Sequence, residues 1–151
     1  MTDMLVKLYD LPDSAPAIAD LAQKGISVRR ATPADQAELA AWVAQDFPAW
    51  AKEASQAFDA PAPTCFVAAG NDGLVGFACY DVTAPNFFGP MAVHDDYREK
   101  GVGRALLLAA LQAQKEQGYG YAIIGGVGPA GFYERCVGAT LIDGSTSGIY
   151  G

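Results

Sequence analysis

The stretch MAVHDDYREKGVGRALLLAALQAQKEQGY, Met91 to Tyr119, runs a charged glycine loop straight into a long apolar helix. The helix is apolar around most of its circumference and stops at Gly118, so it reads as a buried element. Before it, FFGPMAV at residues 87–93 reads as a strand, with a bulge or broken ladder at Gly89-Pro90, where a backbone donor is missing. Gly101 and Gly103 let the backbone approach a ligand closely, and the helix dipole points its positive end at the loop. Arg98, Lys100 and Arg104, three of the chain's 10 Lys and Arg residues, cluster here although the net charge is −7. A strand, a glycine loop with basic residues and a helix N-terminus together make an anion site.

A second glycine pattern follows in YAIIGGVGPAGFY, Tyr121 to Tyr133, where Gly126, Gly128 and Gly131 spell GxGxxG between a strand and a helix. Asp143 lies downstream, near where a dinucleotide fold places its ribose-binding acid. The chain after Asp143 holds too few residues to complete that fold, and the helix carries Phe132 and Tyr133 in its first turns. A nicotinamide-dependent oxidoreductase therefore rests on this motif alone.

Outward from these loops, MLVKLY reads as a short strand and SAPAIADLAQKG as a helix with Ser14 as N-cap and Gly25 past its end. ISVRRA reads as a strand. Thr32, Pro33 and Asp35 predict a capped helix over ADQAELAAWVAQDF, and WAKEASQAFDA predicts a second one. TCFVAAG and LVGFACYDV flank Asn71-Asp72-Gly73, which favours a hairpin turn. GYAIIG reads as a strand, PAGFYERCVG as a short helix opened by Pro129, and TLID and SGIY as short strands.

Composition bounds the rest. The 151 residues, 51% hydrophobic, are enough for one sizeable core, and no composition shift marks a linker. The apolar runs are too short to span a bilayer, and the N-terminus lacks a secretory h-region, which points to a cytoplasmic protein. Cys65, Cys79 and Cys136 sit in apolar segments at wide spacing, as buried free thiols do, and His94 is the lone histidine, so no metal site is expected. The acidic charge argues against nucleic acid and anionic membranes and leans towards a cationic partner.

MAVHDDYREKGVGRALL resembles the acetyl-CoA signature of the GNAT superfamily of acyl-CoA N-acyltransferases, in which an R/Q-x-x-G-x-G/A loop after the family's fourth strand holds the CoA pyrophosphate. VRRATPADQAEL resembles the family's first strand and helix, and FYERCVGA resembles its FYEKxGF segment. The resemblance spans residues 26–139. It implies a single α/β domain, with a mixed, mostly antiparallel sheet, helices on both faces, and the family's fourth and fifth strands splayed apart. Residues 1–25 would be a strand-helix extension on the domain of residues 26–151; adding a strand, capping the acceptor pocket and mediating a homodimer are all open to it.

The resemblance also implies an N-acetyltransferase that moves acetyl from acetyl-CoA to a primary amine of a small molecule or peptide. Met91, Ala92 and Val93 would hold the pantetheine arm through backbone groups, and Arg98, Glu99, Lys100, Gly101, Val102, Gly103 and Arg104 the pyrophosphate. A backbone N–H on the family's fourth strand would stabilise the oxyanion. Tyr133 matches the tyrosine that protonates the departing thiolate. The chain departs from the pattern at three places. Gly126 stands where an asparagine often contacts the cofactor. One extra residue between Tyr133 and Gly138 predicts a distorted helix end. Phe87 stands where some members carry a glutamate base. Glu53, Asp46, Asp81 and His94 are the other candidates for a base, and one or two of Trp42, Phe47, Trp50 and Phe58 could wall an acceptor pocket. The missing glutamate and the shifted tyrosine segment favour the rival reading, a non-catalytic acetyl-CoA sensor that regulates a partner protein.

Overall fold

A computed structural model describes residues 2–150. Its strands are β1 (Met4–Lys7), β2 (Ser27–Arg30), β3 (Cys65–Gly70), β4 (Gly73–Tyr80), β5 (Phe87–Val93), β6 (Tyr121–Ile124) and β7 (Thr140–Leu141), and its helices are α1 (Ala15–Gln23), α2 (Gln36–Asp46), α3 (Ala51–Gln56), α4 (Val102–Glu116) and α5 (Ala130–Val137). The strands form one sheet in the order β2-β3-β4-β5-β6-β1-β7. Every pairing is antiparallel except β5 with β6. This is the mixed, mostly antiparallel sheet that the resemblance implies.

β4 is an interior strand between β3 and β5 and is apolar along nearly its whole length because both of its faces are covered. Ala78 and Tyr80 point into a core shared with α1, α4 and α5, where Leu21, Leu106, Leu107 and Leu111 are buried. Phe77 and Cys79 point the other way, against Leu39, Trp42 and Val43 of α2 and Ala54 of α3. Helix α4 lies close on the sheet at Gly76: a Cβ there would stand 2.9 Å from Leu106 and 3.1 Å from Val102. All three cysteines are free; Cys65 and Cys79 are buried, and Cys136 is only half-buried.

The strands read as the family's fourth and fifth are β5 and β6. They share only the pairs Phe87↔Ile123 and Phe88↔Ile124 and then part. The cause lies in Gly89-Pro90: Gly89 has φ +114, Pro90 has no N–H, and the β4–β5 ladder shifts register between Ala78 and Tyr80 opposite them. β1 lies between β6 and β7, antiparallel to both. Just before it, the buried Asp3 accepts the Gly126 N–H at 2.9 Å, while its own N–H donates to Ser145 Oγ. The segment preceding β1 therefore ties the β6–α5 loop to the segment that follows β7.

Several local expectations need correction. Ser14 makes no capping hydrogen bond; the Ala15 N–H donates to Asp13 Oδ1 instead. Asp35 does close a capping box with Thr32, but its first turn is 3-10, and Arg29 pairs with it at 2.7 Å. The second helix is confined to Ala51–Gln56, after a 3-10 turn at Pro48–Trp50. SGIY is not a strand: Ser147 and Gly148 have φ +69 and +43, and Gly148–Tyr150 coils as a 3-10 turn. The end of α5 is not distorted, since the extra residue is absorbed in the helix and Gly138, φ +66, makes an ordinary left-handed cap.

Candidate active site

Where β5 and β6 part, they open a cavity of about 700 Å³. Met91, Ala92 and Val93 form its β5 wall, and the glycine-rich β6–α5 loop, residues 125–128, forms the wall opposite. Arg98, Glu99, Gly101, Gly103 and Arg104 line one end, and Tyr133 enters from α5. The structure thus gathers nine of the eleven expected site residues around one space. Lys100 is off this wall, with Nζ 5.2 Å from the centre of the Tyr97 ring, and Val102 is buried in the core at 1% exposure.

The geometry of the loop can accommodate an anion. Glu99 and Gly101 both have left-handed backbone, φ +63 and +90, and no side chain caps α4. The Ala105 N–H finds the Gly101 carbonyl at 3.1 Å, but the N–H groups of Val102, Gly103 and Arg104 find no acceptor among the described residues. These are the orphan donors of a helix N-terminus, and they carry its positive dipole end. A Cβ at Gly101 would meet nothing within 4 Å, so space remains in front of the turn. The Arg98 guanidinium is exposed and pairs with Asp95 at 3.2 Å, which leaves it free to reorient.

Tyr133 sits edge-on to Phe88 and Phe132, with ring centres 6.4 and 5.1 Å away. Burial, and to a smaller extent the neighbouring Cys136 thiol, push its phenol up to about 12. Tyr133 is 9% exposed and keeps its proton throughout the neutral range.

A second cavity of about 400 Å³ shares the walls formed by Trp50, Phe88, Gly89, Pro90, Gly125 and Gly126 and continues to Glu53, Thr83, Ser147 and Tyr150. Thr83 Oγ1 donates to Glu53 Oε2. The Tyr150 phenol lies against Gly125, where any Cβ would overlap it. Burial and then the Glu53 carboxylate raise its pKa, with the Thr83 hydroxyl acting in the opposite direction.

Of the candidate bases, only Glu53 reaches either cavity. Asp46 accepts from Trp42 Nε1 at 2.9 Å, and Asp81 accepts from the Asn86 N–H and Gln114 Nε2 at 3.0 Å each. His94 stacks on Trp42 with ring centres 4.1 Å apart. Phe87 pairs with Ile123 in the sheet. Of the aromatics on α2 and around α3, Trp50 walls both cavities while Trp42 is core. Thr83, Ser147 and Tyr150 were not anticipated, because none belongs to a motif and long-range folding alone brings them together. Among the described residues, no cluster of three or more His, Cys, Asp or Glu could hold a metal.

A model of the acetyltransferase (GNAT) domain family matches residues 61–136, which include both walls of the large cavity and α4. This chain belongs to the GNAT acetyltransferase family. Its GxGxxG is not a dinucleotide fingerprint: a dinucleotide fold would pair the strand after α5 into an all-parallel sheet, whereas here β1 lies between β6 and β7, antiparallel to both. Instead, Gly126 and Gly128 line the same GNAT cavity opposite β5.

No curated protein matches the sequence. Solved structures share the fold. A GCN5-related glucosamine N-acetyltransferase region of a fungal multi-domain GH3 beta-N-acetylglucosaminidase superposes with TM-score 0.75 at 16% identity, over 93% of this chain and 19% of that one. A GCN5-related N-acetyltransferase from Sphaerobacter thermophilus gives 0.70 at 19% identity, over 93% and 48%. A GNAT family N-acetyltransferase from Escherichia coli, in complex with CoA, gives 0.50 at 21%, over 62% and 58%. The chain spans about a fifth and about half of the length of the first two.

Proposed function

We propose that this GNAT protein binds acetyl-CoA in the large cavity and transfers the acetyl group to a primary amine. The observation that carries this reading is the uncapped N-terminus of α4, with its left-handed Gly101, opening onto the space between the parted strands β5 and β6. Its unpartnered N–H groups and the nearby Arg98 and Arg104 suit a pyrophosphate, and the groove of β5 suits an extended arm. That a solved GNAT structure from Escherichia coli carries CoA supports CoA as the ligand class.

When bound, acetyl-CoA supplies an activated thioester. Met91, Ala92 and Val93 would align its arm through backbone groups, and Arg98 to Arg104 would anchor its charged end. An acceptor amine reaches the junction from the second cavity, across Phe88, Gly89 and Gly125. Tyr133 donates a hydrogen bond where negative charge gathers on sulfur. A phenol at about 12 is a weak acid. However, the burial that raises it also raises the pKa of a thiol beside it, so transfer of the proton becomes feasible in that apolar space. Free thiols and the absence, among described residues, of a helix long and apolar enough to cross a membrane support action in the cytoplasm.

The rival reading, an acetyl-CoA sensor without turnover, is favoured by Phe87 in the place of a base. Thermal shift with acetyl-CoA, CoA and NADPH tests the binding, since a ligand held only by the folded state raises apparent stability. We expect both CoA species to raise the melting temperature and NADPH not to. A shift with NADPH alone would overturn the assignment. Release of CoA across an amine panel, followed with a thiol reagent, then separates enzyme from sensor.

A further inference from the structure

The second cavity has a polarity that narrows its occupant. Among the described residues, Glu53 is the only formally charged one on its wall, and no Lys or Arg lines it. Glu53 makes no ion pair among the described residues. It is half-buried, and the Thr83 hydroxyl holds one carboxylate oxygen, Oε2, while Oε1 has no partner among the described residues. An anion kept partly out of water without a counter-ion is costly unless a cation comes to it. Around it stand the rings of Trp50, Phe88 and Tyr150, with Pro90 and the bare backbone of Gly125. Aromatic faces beside a carboxylate favour an organic ammonium, by cation–π attraction and by burial of its carbon body.

The same inventory excludes other amines. A polyamine would bring a second cation, for which the wall has no second carboxylate. An amino acid would bring a carboxylate towards Glu53 with no Arg or Lys to receive it. A hydroxyl-rich aminosugar would bury more polar groups than Ser147, Thr83 and the Tyr150 phenol can satisfy. The volume of about 400 Å³ suits a small molecule.

Resting on the acetyltransferase reading above, we infer that the acceptor is a singly charged primary amine on a compact aromatic or alkyl body. Its ammonium is held by Glu53, which Thr83 orients, between the rings of Trp50 and Tyr150; Glu53 takes one proton from it, the neutral nitrogen bonds to the acetyl carbon as the carbon–sulfur bond breaks, and the CoA thiolate leaves with the Tyr133 proton. The amine then faces the shared wall at Gly89 and Gly125, where the two cavities meet.

The test uses the full chain with acetyl-CoA and compares 2-phenylethylamine, hexylamine, spermidine, glucosamine and phenylalanine, with acetylated product confirmed by mass. The two apolar monoamines should exceed each of the others in kcat/KM by roughly tenfold or more, as expected for one unpaired buried polar or charged group. Glu53→Gln should raise the amine KM by roughly tenfold, with acetyl-CoA affinity by calorimetry unchanged within about twofold. Thr83→Val, which keeps the carboxylate but frees it, should raise the same KM by a smaller factor and serves if Glu53→Gln misfolds. Preference for spermidine, glucosamine or phenylalanine, or an unchanged amine KM in the folded variants, would overturn the inference. Acetyl-CoA binding without turnover of any of these amines would overturn it too, while leaving the cofactor site intact. Failure of the wild-type protein to bind acetyl-CoA would instead overturn the function itself.

Discussion

The Tyr133 phenol is held between Phe88 and Phe132 with little access to water, and that setting fixes its protonation. Replacing it with phenylalanine removes one hydroxyl and leaves the packing. Tyr133→Phe should therefore lower turnover by roughly a hundredfold, the scale of a lost general acid, with acetyl-CoA affinity unchanged in calorimetry. The phenol also leaves a mark on stability. Its folded value of about 12 lies above the ordinary 10.0, so between pH 10 and 12 the native state keeps a proton that the unfolded state has lost. Its contribution is complete below pH 10 and falls away as pH rises towards 12, by about 3 kcal/mol. Denaturant unfolding from pH 9 to 12 should show a shallower decline for Tyr133→Phe than for wild type; equal slopes would count against this burial effect. At this scale the sequence separates candidates poorly. Glu53, Asp46 and Asp81 are all carboxylates near predicted helix or strand ends, and only the folded chain shows that two are bonded inward to Trp42 and Gln114 while the third faces a cavity.

Among the elements, α4 and its loop were the most legible in the sequence, because the work there falls to backbone. Glycine at 101 is required by a left-handed turn, and its spacing from Arg98 and Arg104 survives in any alphabet of side chains. Gly101→Val should raise the acetyl-CoA Kd by roughly tenfold or more, since a β-branched residue at φ +90 costs on the order of 1–3 kcal/mol or forces the cradle to move. Unchanged affinity in calorimetry would mean that the pyrophosphate is held elsewhere. The hairpin at Asn71-Asp72-Gly73 and the break at Gly89-Pro90 were legible for similar reasons, as each is set by local stereochemistry. What was not legible is the tail. SGIY alternates like a strand, but residues 147 and 148 turn left-handed and lay Tyr150 over Gly125, a contact set by chain segments far apart in sequence. The GxGxxG of the β6–α5 loop misleads in a related way: its first two glycines do face a ligand-sized space, but as the wall opposite β5.

Across the whole molecule, two helical layers clamp one sheet, and the site lies where that sheet is deliberately incomplete, between β5 and β6. Asp3 holds the far wall of this gap by accepting the Gly126 N–H and bonding to Ser145. Asp3→Ala strands that N–H and should destabilise the fold by about 1–3 kcal/mol, measured by denaturant unfolding. Turnover should fall along with stability, because the β6–α5 loop then loses its fixed position; full activity at unchanged stability would show that Asp3 is dispensable. The placement of β1 carries a further consequence for synthesis. Lys7 pairs with Tyr121 and Met4 with Leu141, so β1 leaves the ribosome well before the segments with which it pairs. Until then the nascent chain carries an unsatisfied apolar strand, and β6 would emerge with an open edge if β1 were absent. Closure of the gap's far wall is thus deferred until residues 121–141 have been made, and a chain stalled before them would hold the loop of residues 98–104 without that wall.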